Sequence, residues 1–124
     1  MNFPLKVLIV DDSKIICDRI TAQLKEIPKT GSIYRGYNFM EALQLLKAHS
    51  PDIAILDINL PDKTGIELLR TIKENQLAVK MVIMMTEEAS ELHREKCLQL
   101  GADYFLNKFT DFEMISEIIE NISK

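Results

Sequence analysis

A chain of 124 residues has room for one domain of ordinary size, and such a domain buries roughly two-thirds of its unfolded surface. Apolar residues make up 47% and charged residues 27%, and a formal net charge of -4 argues against a surface built for direct contact with nucleic acid. Cys17 and Cys97 lie far apart without metal-ligand spacing, so they read as small buried apolar residues in a reducing compartment rather than as a zinc site or a disulfide. No apolar run approaches the ~18 residues of a membrane span, and the run from Val7 to Val10 is too short for a signal peptide, so a cytoplasmic protein without membrane insertion is expected.

In chain order, Leu5 to Val10 is apolar except for Lys6 and ends at Asp11, the pattern of a strand covered on both faces. From Ser13 to about Ile27, the residues Ile16, Ile20, Leu24 and Ile27 repeat at helical spacing until Pro28 and Gly31. Ser32 to Gly36 reads as a weaker strand. Asn38 and Glu41 form a capping box for a helix burying Ala42, Leu45 and Leu46. Ile53 to Leu56 is again an apolar strand that ends at an aspartate, Asp57. Thr64 and Glu67 form a second box ahead of Ile66, Leu68, Leu69 and Ile72. Met81 to Met85 predicts a fourth strand, ending at Thr86. A helix from about Glu88 to Leu100 stops at Gly101. Tyr104 to Leu106 predicts a short fifth strand, and Thr110 with Glu113 a third capping box before Phe112, Ile115, Ile118, Ile119 and Ile122. Five strand–helix units imply an α/β (βα)5 fold over residues 1–124, a doubly wound five-stranded parallel sheet of flavodoxin-like order 2-1-3-4-5.

The polar residues at the strand ends carry the chemistry. Asp11 and Asp12 follow the first strand, Asp57 the third, Thr86 the fourth, and Lys108 the fifth, so all meet at one edge of the sheet. Any one aspartate alone is as readily a helix cap or turn former. Three carboxylates together repel, and a hard divalent cation such as Mg²⁺, or Mn²⁺, relieves the conflict. The backbone carbonyl of Asn59 offers one more oxygen. Asp57, alone at the central strand end, suits a nucleophile toward phosphorus, with Asp11 and Asp12 holding metal. Thr86 supplies a hydroxyl and Lys108 a mobile positive charge for phosphoryl oxygens.

The run Val7-Leu8-Ile9-Val10-Asp11-Asp12-Ser13, the stretch from Pro51 to Pro61 around Asp57, Gly65, Thr86, and Gly101-Ala102-Asp103-Tyr104-Phe105-Leu106-Asn107-Lys108 together resemble the response-regulator receiver family. The resemblance covers about Lys6 to Ile122. It implies a signalling switch that catalyses only its own phosphorylation and dephosphorylation. Asp57 would be the phospho-acceptor, Asp12 a direct metal ligand with Asp11 its partner, and Thr86 and Lys108 the pair that grips the phosphoryl group. Phe105 falls at the aromatic switch position, with Tyr104 on the opposite face unless a bulge exchanges them. Asn59 and Glu88 sit where family members tune the phosphate lifetime; a glutamate in a first helical turn is equally explained by the helix dipole. The implied partners are a sensor histidine kinase or histidine phosphotransfer protein and a downstream protein target that reads the face of helix 4, strand 5 and helix 5.

Two departures from the family stand out. Phe109 follows Lys108 where proline is usual, so a trans bond is expected there, and phenylalanine occupies the switch position where tyrosine is frequent. Other classes fit less well. A degenerate, binding-only receiver would lack one of these residues. An aspartyl phosphatase would want a second acid where Asn59 stands, together with a cap domain. A flavin carrier would need a phosphate loop in place of Asp11-Asp12-Ser13. The Met1 start and the stop soon after the last helix favour a stand-alone regulator over an excised piece of a larger one.

Overall fold

The computed structural model describes residues 1–87 and 90–123. Strands and helices alternate in the order β1 (Leu5–Val10), α1 (Lys14–Lys25), β2 (Thr30–Gly36), α2 (Phe39–His49), β3 (Ile53–Asp57), α3 (Gly65–Glu74), β4 (Met81–Thr86), α4 (Glu91–Gln99), β5 (Tyr104–Asn107) and α5 (Met114–Glu120). The strands form one parallel sheet in the order β2-β1-β3-β4-β5.

Alternation along each strand divides the core in two. Val7 and Ile9 of β1, Ile55 of β3, Met85 of β4 and Leu106 of β5 face α1 and α5, where Ile16, Ile20, Leu24, Ile115 and Ile119 meet them. Leu8, Val10, Leu56, Met84 and Phe105 face the other way, onto Ala42 and Leu46 of α2, Leu68 and Leu69 of α3, and Cys97 of α4. The central strands are buried on both sides, which is why, Lys6 apart, they read as apolar runs. Cys17 and Cys97 are both free and buried, and burial pushes the Cys17 thiol up to about 11, so both act as apolar filler. No helix among the described residues is long and apolar enough to cross a membrane.

Local capping explains most helix starts. The side chains of Ser13, Asn38 and Thr64 accept the N–H groups of Ile16, Glu41 and Glu67. Glu41 bonds back to the N–H of Tyr37, the residue before the cap. Two expected starts are displaced. Helix α4 begins at Glu91, where Ser90 accepts the His93 N–H at 3.1 Å, rather than near Glu88, which lies outside the described residues. The Thr110–Glu113 box does not form. Asn107 takes the N–H groups of Phe109 and Thr110 at 2.9 and 3.0 Å, Asp111 takes that of Asn107 at 2.8 Å, and α5 starts at Met114 without a side-chain cap. Short polar side chains thus fold the loop back on itself, and Asn107 takes the Thr110 N–H that the box would have used. At the other end of α5, which has no basic residue in its last turn, Lys29 donates to the carbonyls of Glu120 and Ile122. Gly101, at φ 101°, follows the end of α4 in a conformation that side chains resist.

Candidate functional site

The chain runs from β1 outward to β2 and then returns to place β3 on the other side of β1, so the order reverses between β1 and β3. In such sheets the crevice at the strands' carboxyl ends opens at this point. Val10 pairs with Leu56 in register, so Asp11 and Asp57, one step further on, stand on neighbouring strands at the crevice. One carboxylate oxygen from each of Asp11, Asp12 and Asp57 lies within 4.8 Å of the others.

Asp11 and Asp57 are held in parallel ways. One oxygen of Asp11 accepts the N–H of Ser13 at 2.8 Å, and one oxygen of Asp57 accepts the N–H of Asn59 at 3.3 Å. The remaining oxygen of each faces Lys108 Nζ, at 2.7 Å from Asp11 and 3.1 Å from Asp57. The bond between Lys108 and Phe109 is trans, as expected, and the lysine still reaches both acids. Its stem spans β4 to do so, because β5 is not adjacent to β3 or β1.

Burial pushes the Asp57 carboxyl up from 3.8 to about 6, and the nearby charge of Asp11 adds to this against the pull of Lys108 and the Asn59 N–H. Burial would lower the Lys108 ammonium. The hydrogen bond to Asp11 and the two carboxylate charges outweigh it and hold the group above its ordinary value. Asp57 is only 4% exposed, less open than its position at the strand end suggested, yet it lines a cleft of about 220 Å³ with Asp12, Ser13, Asn59, Glu87 and Lys108. Asp12 and Asn59 are exposed at the cleft's mouth. This donor set of hard oxygens, with exposed Asp12 beside two buried acids, is compatible with Mg²⁺.

Thr86 ends β4 at the same edge, next in sequence to the Met85 that pairs with Asp57, and its carbonyl accepts the Lys108 N–H at 2.9 Å. It is 1% exposed and is not part of the cleft wall. Two register positions separate it from Phe105, which pairs with Met84; by strand alternation Thr86 and Phe105 share the sheet face that carries α4. Phe105 is buried, whereas Tyr104 is 38% exposed, so no bulge exchanges them. Glu87, which the sequence did not single out, lines the cleft, and the lifetime-tuning candidate Glu88 lies outside the described residues. The signal for Glu87 was its place immediately after a strand-end threonine.

Gly65 packs tightly against the backbone of Asp57 and Ile58. Its N–H donates to the Ile58 carbonyl at 2.7 Å, and a Cβ here would stand 1.9 Å from the Asp57 carbonyl oxygen. Backbone cannot yield as a flexible side chain does. Gly65→Ala is therefore expected to cost about 3 kcal/mol or more in urea denaturation, the upper end of overpacking effects, and to shift the Asp57 and Ile58 amide resonances. A loss below about 1 kcal/mol with unmoved resonances would show that the loop relaxes freely.

A doubly wound parallel sheet with a lysine bridging two acids at the switch point defines a narrow class, and the comparisons with known proteins agree. The sequence model of the response regulator receiver domain matches residues 7–120, and the chain belongs to that family of two-component signalling domains. Solved structures give the same result. A CheY-like response regulator receiver domain protein from Methanospirillum hungatei is 28% identical over 94% of this chain and 90% of its own, with a TM-score of 0.82. The signal receiver domain of a DNA binding response regulator from Colwellia psychrerythraea is 26% identical over 94% and 95%, at 0.86. The receiver domain of a Francisella response regulator is 25% identical over 93% of both chains, at 0.82.

Proposed function

We propose that the chain works as one phosphorylation switch, with Asp57 as the phosphoryl acceptor, Mg²⁺ (or Mn²⁺) as cofactor, and a histidine kinase or phosphotransfer protein as donor. The observation that carries this reading is the single ammonium of Lys108 shared between Asp11 and Asp57 at the wall of an open cleft. Asp12, Asp57 and the Asn59 carbonyl would hold the metal, with Asp11 beside them; bound there, it supplies charge neutralisation and in-line orientation of the phosphoryl group.

One Asp57 oxygen attacks phosphorus. The bond from phosphorus to the donor's imidazole nitrogen breaks, and the electron pair stays with the nitrogen, which takes a proton from solvent. Lys108 then releases Asp57 to meet the new phosphoryl oxygens as a point charge. Thr86 donates its hydroxyl to another phosphoryl oxygen by moving toward the cleft. That motion opens space on the shared sheet face for Phe105 to repack against α4.

Helix α4 suits a part that shifts. Cys97 is its one buried residue, and Leu92 is 76% exposed. A downstream protein reading α4, β5 and α5 would sense the change. Asn59 at the cleft mouth and Glu88 would tune hydrolysis of the acyl phosphate by ordering or excluding water.

Incubation with Mg²⁺ and a small phosphodonor, followed by intact-mass measurement, tests the reading. The expected result is a gain of one phosphoryl group that requires metal. No gain from any donor, small molecule or phosphohistidine protein, would point instead to a receiver that acts only by binding.

A further inference from the structure

The loop after β3, which carries Asn59, is tied down from outside. The two carboxylate oxygens of Asp62 accept the N–H groups of Phe39 at 2.8 Å and Met40 at 3.1 Å, the first two residues of α2, and the N–H of Lys63 closes onto the same carboxylate at 3.0 Å. Lys63 Nζ lies 4.9 Å over the Phe39 ring and adds a second tie. Helix α2 already has its own cap, since Asn38 serves the Glu41 N–H and Glu41 serves that of Tyr37. Asp62 is therefore an additional acceptor at this helix end, brought from another element.

The tie sits three residues beyond Asn59, with the conformationally fixed Pro61 between them. The other end of the loop is pinned by the Gly65 N–H to the Ile58 carbonyl. The segment bearing Asn59 is thus held at one end by Gly65 at the start of α3 and at the other by the first amides of α2.

We propose that Asp62 is a positioning residue for the metal centre: through the N-terminus of α2 it fixes the backbone of Asn59 at the cleft mouth. The proposal rests on the reading in which the Asn59 carbonyl serves the metal. Groups that orient metal ligands without touching the ion commonly change affinity by about 10–100-fold when removed. An exposed tether belongs at the lower end of that range.

Isothermal titration calorimetry with Mg²⁺ and amide hydrogen exchange test this without any turnover. Asp62→Ala is expected to weaken Mg²⁺ about tenfold and to speed exchange across residues 59–63. Asp62→Asn keeps one acceptor oxygen and should fall between Ala and wild type. Asn38→Ala removes the other cap of the same helix and serves as the control. It should lower stability by about 1 kcal/mol and leave Mg²⁺ affinity unchanged. Unaltered affinity in Asp62→Ala beside a wild type that binds, or equal weakening by Asn38→Ala, would overturn the proposal alone. A wild type that shows no Mg²⁺ binding would overturn the underlying reading and this proposal with it.

Discussion

Replacing Lys108 with methionine is expected to destabilise the metal-free protein by about 3–5 kcal/mol at neutral pH, the usual cost of stripping the partner from buried charges. The side chain is 3% exposed and its ammonium is the cation between Asp11 and Asp57, themselves 3% and 4% exposed. Methionine fills much of the stem's volume, so the loss would be electrostatic and not a cavity effect. Two buried carboxylates left without a cation relieve their repulsion only by taking up a proton or binding a metal. Two rescues follow. Lowering the pH through the Asp57 titration should recover part of the loss, and millimolar Mg²⁺ should recover more. Urea denaturation across pH, with and without Mg²⁺, checks both. A loss under about 1 kcal/mol, or one indifferent to Mg²⁺, would show that these acids are too well solvated to depend on the lysine.

Asp57→Asn is expected to have the opposite sign, making the metal-free protein more stable by about 1–3 kcal/mol at pH 7.5. The Asp57 carboxyl is raised from 3.8 to about 6, first by burial and then by the Asp11 charge, so its ionised form is the disfavoured one in the folded state. The penalty is absent below the unfolded value near pH 4. It grows as pH rises toward 6 and is full above that. A shift of this size, in which the pull of Lys108 is already included, corresponds to about 3 kcal/mol at most. Lys108 keeps Asp11 as its partner at 2.7 Å. The stability difference between variant and wild type should therefore shrink to near zero by pH 4. Mg²⁺ should narrow it at pH 7.5 by stabilising the wild type more. A variant less stable than wild type at pH 7.5, or a difference independent of pH, would contradict the assigned cause.

The sheet and its two faces could be read in advance because the central strands β1, β3 and β4 are largely apolar runs and most helices have a polar cap residue at their start. Asp11, Asp57 and Lys108 could be placed together for the same reason: each directly follows a strand whose partners and direction the pattern implies. What could not be read depends on competition between nearby polar groups. Thr110 and Glu113 carry the capping-box spacing, but Asn107 and Asp111 claim the loop's donors first. Helix α4 starts late because Ser90 caps it, and its sparse apolar pattern gave no stripe from which to count.

The depth of Thr86 and the sharing of Lys108 between two acids are tertiary facts with no local signal. Asp62 is the clearest case. In sequence it is one more turn residue between Pro61 and Thr64, and its role exists only because the fold brings α2's first amides to it.

The most direct test of the central claim, that the Asp57 carboxylate itself forms the bond to phosphorus, is chemical identification of the modified residue. The protein phosphorylated in the presence of Mg²⁺ would be reduced with borohydride, which converts an acyl phosphate to the corresponding alcohol, then digested and sequenced by mass spectrometry. The account predicts homoserine at position 57, and its loss when metal is withheld. Phosphate found instead on a serine, threonine or histidine, or reduction at Asp11 or Asp12 with Asp57 intact, would contradict it.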